Sequence, residues 1–153
     1  MKIITLLILS VFITTAVFSQ KKQDKPIQEF ISQANETQLV DKSTSLLSNG
    51  EFLDAELVAD KLLTLQPESS NYNYRKGFVM IALRQDYQGA LPYLKKAIKN
   101  VSKNYDLYSP KETNSSIDAF YYLAKCYHFL EEIEDAKLTY NQFIAKSDKK
   151  SQL

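Results

Sequence analysis

Ala119-Phe120-Tyr121-Tyr122-Leu123-Ala124-Lys125-Cys126-Tyr127, then the turn Glu131-Glu132-Ile133-Glu134-Asp135-Ala136, then Lys137-Leu138-Thr139-Tyr140, is the stretch that decides the fold. Phe120, Leu123, Ala124 and Tyr127 stand at i, i+3, i+4 and i+7, one face of a helix. Ala136, Tyr140, Phe143 and Ile144 repeat that face on a second helix. A small residue on each helix, Ala124 and Ala136, lets the two backbones approach, while Tyr and Phe fill the space around the contact. The segment therefore predicts a helical hairpin.

Two earlier copies align with it. Asn49-Gly50-Glu51-Phe52-Leu53-Asp54-Ala55 and Arg84-Gln85-Asp86-Tyr87-Gln88-Gly89-Ala90 each carry a turn, an apolar residue three before an alanine, then the alanine. Ala55 and Ala90 are 35 residues apart, and Ala90 and Ala136 are 46 apart, so an insert separates the second and third copies. Leu65-Gln66-Pro67 ends the first copy, since proline commonly follows a helix stop. Gly77, Leu94, Ala97 and Ile98 supply the packing places of the second copy. In copy one, Ala59 and Leu62 exchange the usual large and small places, which can conserve packed volume. Gly77 to Ala90 is one residue longer than Ala124 to Ala136, so either the turn carries an extra residue or Phe78 takes the close-approach place.

These residues resemble the tetratricopeptide repeat, a helical hairpin of about 34 residues that stacks on its neighbours. The resemblance implies an all-α fold, a short α-solenoid of about three hairpins, and a protein-binding role. The repeats are expected over residues 35–67, 70–101 and 116–147, with an insert at 102–115. Helices are expected near 35–48, 51–65, 70–84, 88–101, 116–130 and 133–147. Pro92 is placed in the first turn of its helix, where a missing N–H costs little. Residues 20–34 form an N-terminal segment, of which 27–34 extend the first helix or make a short one of their own. Gly50, Ala55, Gly77, Ala90, Ala97, Phe120, Leu123, Ala124, Tyr127, Ala136 and Tyr140 are the expected packing residues.

Met1 to Ser19 is the expected signal peptide: Lys2 opens it, an apolar run follows, and Val17-Phe18-Ser19 offers a small-residue cleavage site before Gln20. An uncleaved anchor would need roughly 20 apolar residues, more than this run holds. No direct membrane span remains after cleavage. Without Lys2 the mature chain balances 18 Lys plus Arg against 18 Asp plus Glu. That balance speaks against a nucleic-acid or anionic-membrane footprint. The lone Cys126 and the lone His128 lie two residues apart on one helix, so their side chains diverge, and no soft-ligand metal cluster can form from them. The acidic group Glu131, Glu132, Glu134 and Asp135 lacks a calcium-loop ladder and suits a helix start instead. Gly50, Gly77 and Gly89 are too scattered for a phosphate-cradling loop. No catalytic, cofactor-binding or metal residue is assigned, and the chain reads as non-enzymatic. A hydrolase or metal-binding periplasmic protein is the reading from another class, and it lacks a constellation.

Ten Tyr and eight Phe with no Trp leave aromatics to distribute between core and surface. In repeats of this kind the first helix of each pair lines the concave groove. Tyr121, Lys125 and His128, at i, i+4 and i+7, and Tyr74 with Phe78 in the second copy, form the candidate partner-binding face. Tyrosine suits an interface and a core equally well. The insert, with Asn104-Tyr105-Asp106-Leu107-Tyr108-Ser109-Pro110, is a second contact site or a clasp across the repeats. Residues 148–153 form a tail.

A narrower likeness rests on Ala90-Leu91-Pro92-Tyr93-Leu94-Lys95-Lys96-Ala97 and on Ala119 to His128. These resemble the amino-terminal repeats of Gram-negative envelope proteins in which a β-propeller and an OmpA-like peptidoglycan-binding domain follow. The chain departs from that family because it stops at Leu153 and has no lipidation cysteine. The likeness implies a periplasmic or outer-membrane setting and an envelope protein as partner, the chain acting as adaptor or scaffold. The alternative is a structural subunit that self-associates, or docks on a separately encoded propeller protein through its C-terminal face, or a truncated fragment of such a protein.

Overall fold

Each hairpin turns at the same backbone place. Gly50, Gln85 and Glu131 have positive φ, at 74°, 54° and 62°, and each lies five residues before the small residue of the second helix (Ala55, Ala90, Ala136). The computed structural model describes residues 26–147, so the expected signal peptide and the tail lie outside the described residues. Contacts divide the chain into two units, Met1–Ala34 and Asn35–Leu153.

In the first unit residues 26–33 form a short helix, α1, with Pro26 at its start and Ala34 N–H donating to Phe30 O at 2.9 Å. It is separate from the next helix, because Asn35 leaves helical geometry to cap the new one. Asn35 and Gln38 each bond the other's backbone N–H, a reciprocal cap.

The second unit is an all-α helical-repeat solenoid. Its helices are α2 (Glu36–Asn49), α3 (Phe52–Leu65), α4 (Ser70–Arg84), α5 (Tyr87–Ala97), α6 (Asp118–Phe129) and α7 (Ile133–Ser147). They pair as three hairpins, α2 with α3, α4 with α5 and α6 with α7, and each hairpin stacks on the next. Ala55, Ala59, Ala90, Ala97, Ala119 and Ala124 are fully buried at the helix contacts. Leu62, Leu94 and Leu123 fill the space beside them, each burial contributing about 1.5–3 kcal/mol. A cluster of Met80, Ile81, Leu91, Leu94, Leu123 and Cys126 joins the second hairpin to the third. Across the first joint, Lys76 Nζ sits 2.9 Å from Glu56 Oε1 and 2.6 Å from Asp60 Oδ1, and Arg84 reaches Glu56 Oε2 at 2.6 Å.

The extra residue of the second copy lies in its turn. Asp86 N–H reaches back six residues to Met80 O, whereas Glu51 and Glu132 reach back five, to Leu46 and Tyr127. This leaves Gly77, not Phe78, at the close approach: a Cβ there would lie 2.7 Å from Leu94 Cγ.

Three local expectations change. Gly50 was expected to pack, yet a Cβ there would meet nothing within 4 Å; its φ of 74° is what asks for glycine. Pro92 is the sixth residue of α5, in the second turn, because Asp86 caps the helix one residue earlier through its side chain and Gly89 N–H at 2.8 Å. Helix α5 stops at Ala97 and not near 101, since Ser115 Oγ donates to Ala97 O at 2.7 Å and takes up a carbonyl at the helix end. Beyond it, Val101–Ser102 (β1) pairs in parallel with Ser115–Ser116 (β2) and closes the base of the insert. Such a short pairing carries no alternation that a sequence pattern could reveal.

Candidate functional site

In the first helices α2, α4 and α6, Val40 and Thr44, Tyr74 and Phe78, and Tyr121 and Lys125 hold equivalent places along the sequence row of the three hairpins. The insert lies on α2 and α4. Leu107 O accepts from Thr44 Oγ1 at 2.9 Å and from Arg75 Nη2 at 2.9 Å. Asn71 Nδ2 donates to Glu112 O at 2.8 Å, and Tyr105 Oη donates to Asn71 Oδ1 at 3.0 Å. The Tyr105 ring meets the Tyr74 ring edge-on, 5.8 Å between centroids. The insert is thus a clasp across the first helices of two hairpins.

Arg75 is at the centre of this arrangement and is fully buried. Its other donors go to Asn71 Oδ1, Ser43 Oγ and Thr44 Oγ1, at 3.0, 3.2 and 3.0 Å. All of these acceptors are neutral, and among the described residues no ion pair involves Arg75. Burial accordingly pulls its guanidinium below the usual range. Burial also raises the Tyr74 phenol well above its ordinary value and pushes Tyr105 up to about 12.

The five candidate face residues separate into two groups. Tyr74 and Phe78 are half-buried in an aromatic cluster, where Phe78 meets Tyr122 at 5.2 Å and Phe52 at 6.0 Å. Tyr121, Lys125 and His128 lie on the last hairpin. Tyr121 is 40% exposed and rests on Tyr140 and Phe143 at 6.0 and 5.7 Å. Lys125 Nζ lies 5.9 Å above the Tyr87 ring and 6.0 Å above Phe129, a cation–π arrangement. His128 is exposed and joins Ile133, Ala136, Lys137, Tyr140 and Asn141 around an open pocket of about 320 Å³. Among the described residues, five of the eight exposed large hydrophobic residues, Tyr121, Phe129, Ile133, Leu138 and Ile144, belong to this hairpin.

Among the packing residues, Tyr127 is half-buried under Lys95 Nζ at 5.4 Å and Tyr140 is half-buried beside Tyr121. Arg75, Asn71, Ser43 and Thr44 were not singled out from the sequence. Their signal was polarity: Asn71 and Arg75 stand one turn apart on α4, and both are buried.

Cys126 is fully buried, and burial pushes its thiol up to about 12, far from the thiolate a nucleophile needs. Among the described residues no group of His, Cys, Asp and Glu gathers as a metal site. No described helix is long and apolar enough to cross a membrane.

Residues 118–149 match the family model of the tetratricopeptide repeat. No curated protein matches the chain. Repeats of this family generally mediate protein–protein interaction and are typically non-enzymatic scaffolds.

Proposed function

We propose that this chain is a non-enzymatic, exported protein-binding module, an adaptor in an envelope assembly, that docks a protein partner on its last hairpin. The observation that carries the reading is that α6 and α7 carry exposed Tyr121, Phe129, Ile133, Leu138 and Ile144, with Ile133 lining the pocket under His128. Exposed apolar surface collected on one element marks an interaction site, whereas scattered residues do not. Tyr121 adds contact area at low entropy cost, and Lys125 and His128 supply a polar border. The exported setting rests on the apolar run from Met1 to Ser19, and the envelope partner on the likeness of Ala90–Ala97 and Ala119–His128 to envelope repeat proteins.

The test is photocrosslinking in the native cell, with a photoreactive amino acid at Tyr121 and a matched probe at Asp41, which is exposed on α2. A discrete envelope protein captured only from position 121 supports the reading. Absence of an adduct from a folded, exported chain refutes it. A second reading, self-association through the same end, is favoured by Leu138 and Ile144, which are 58% and 60% exposed on α7. Capture of another copy of the chain would select it.

A further inference from the structure

Four hydrogen bonds and one ring contact join the α2–α4 face to one short piece of the chain's own insert, and they describe what that face recognises. Thr44 and Arg75 converge on one main-chain carbonyl, that of Leu107. Asn71 accepts from the tyrosine hydroxyl two residues earlier, and Tyr74 packs against that tyrosine's ring. Recognition is thus of a tyrosine side chain and of backbone, which any protein segment of the same form could offer.

We propose that this face is a peptide-binding groove held closed by the insert, and that a protein partner enters it by displacing Tyr105-Asp106-Leu107 with a segment of its own carrying a tyrosine two residues before an accessible carbonyl. The inference deepens the protein-binding reading above and rests on it. Arg75 is the reason to read the contact as releasable. Its guanidinium is dehydrated under the insert with neutral oxygens alone around it. An unpaired buried charge is costly, and a clasp serving stability alone would do better with apolar side chains. Lifting the insert returns water to Arg75 and offsets part of the lost contacts. The tether works the other way: an attached ligand has a high effective concentration, so a separate segment competes poorly until the insert yields.

The test uses a labelled synthetic peptide spanning Lys103 to Pro110 and the full chain in two forms, unaltered and with residues 104–110 replaced by a Gly/Ser linker of equal length. Fluorescence polarisation is expected to show binding to the linker form at least about 10-fold tighter than to the unaltered chain. Arg75→Gln in the linker form should weaken it by about 10-fold or more, as loss of a buried charged donor does. Absence of binding by a folded linker form overturns the proposal. Should the linker form fail to fold, hydrogen exchange on the unaltered chain decides. Release predicts that the Arg75 Nε–H is protected at least roughly 100-fold less than the Leu94 amide, because it opens without global unfolding. Equal protection of the two would make the insert a permanent part of the fold. Crosslinking from Tyr121 separates the readings: partner capture there alongside a peptide that never binds removes the groove proposal and leaves the docking hairpin standing.

Discussion

Gly77→Ala tests the packing logic of the repeat at its tightest point. An added methyl would lie 2.7 Å from Leu94 Cγ and 2.9 Å from Cδ2, where carbon atoms ordinarily rest about 3.5–4.0 Å apart. Leu94 is fully buried, as are Val79 and Ala90 nearby in α4 and α5, so it has no open space to retreat into. Overpacking of this kind costs about 1–3 kcal/mol. Alanine recovers about 1 kcal/mol of helix propensity over glycine, which leaves a net loss of about 1 kcal/mol. In a Leu94→Ala background the opposing carbons are gone, and the same Gly77→Ala change should stabilise by about 1 kcal/mol. The two substitutions therefore couple by about 2 kcal/mol, within the range of touching residues. Leu94→Ala alone should cost about 2–5 kcal/mol, leaving a measurable transition in a domain of about 5–15 kcal/mol. Urea unfolding followed by helical circular dichroism reads all four corners of the cycle, at a common m-value. Equal stabilisation by Gly77→Ala in both backgrounds would refute the close approach and return that role to Phe78.

Three further outcomes follow from individual groups. The Glu56 carboxyl is held down to about 2 by Arg84 first and then Lys76; a depressed carboxylate stabilises the fold above pH 4.5 and loses that contribution as pH falls toward 2. After allowance for solvent screening this amounts to roughly 1–2 kcal/mol, and Glu56→Gln should flatten the acid limb of stability against pH; an unchanged limb would remove the ion pairs from the account. Cys126, fully buried with its thiol pushed up to about 12, should be alkylated by iodoacetamide roughly 100-fold more slowly in the native chain than in denaturing urea; equal rates would show the α5–α6 contact open. Intact mass of the protein recovered from cells should begin at Gln20, and a mass that retains Met1 would overturn the signal-peptide reading of residues 1–19.

The helices were legible because their signal is local. Phe120, Leu123, Ala124 and Tyr127 announce a face within seven residues, and α6 buries Phe120, Leu123 and Ala124 on it. The place of Gly77 was half legible: sequence spacing left two registers open, and one long hydrogen bond from Asp86 to Met80 selects between them. Exposure along the candidate face was not legible in the sequence. Tyr74 and Tyr121 hold the same place in successive repeats, yet one is covered by Tyr105 and the other remains 40% exposed.

By itself, then, the sequence determined the helical hairpins and their order along the chain, because periodicity is written within a turn or two of each residue. Tertiary structure alone decided where the insert goes and which aromatics stay open. Thr44 finds Leu107 O across 63 residues, Asn71 finds Glu112 O across 41, and Arg75 finds Leu107 O across 32. Partners at such separation are chosen by which buried polar groups need satisfying once the hairpins have stacked, and a buried guanidinium takes the nearest carbonyl that the folded chain can bring to it.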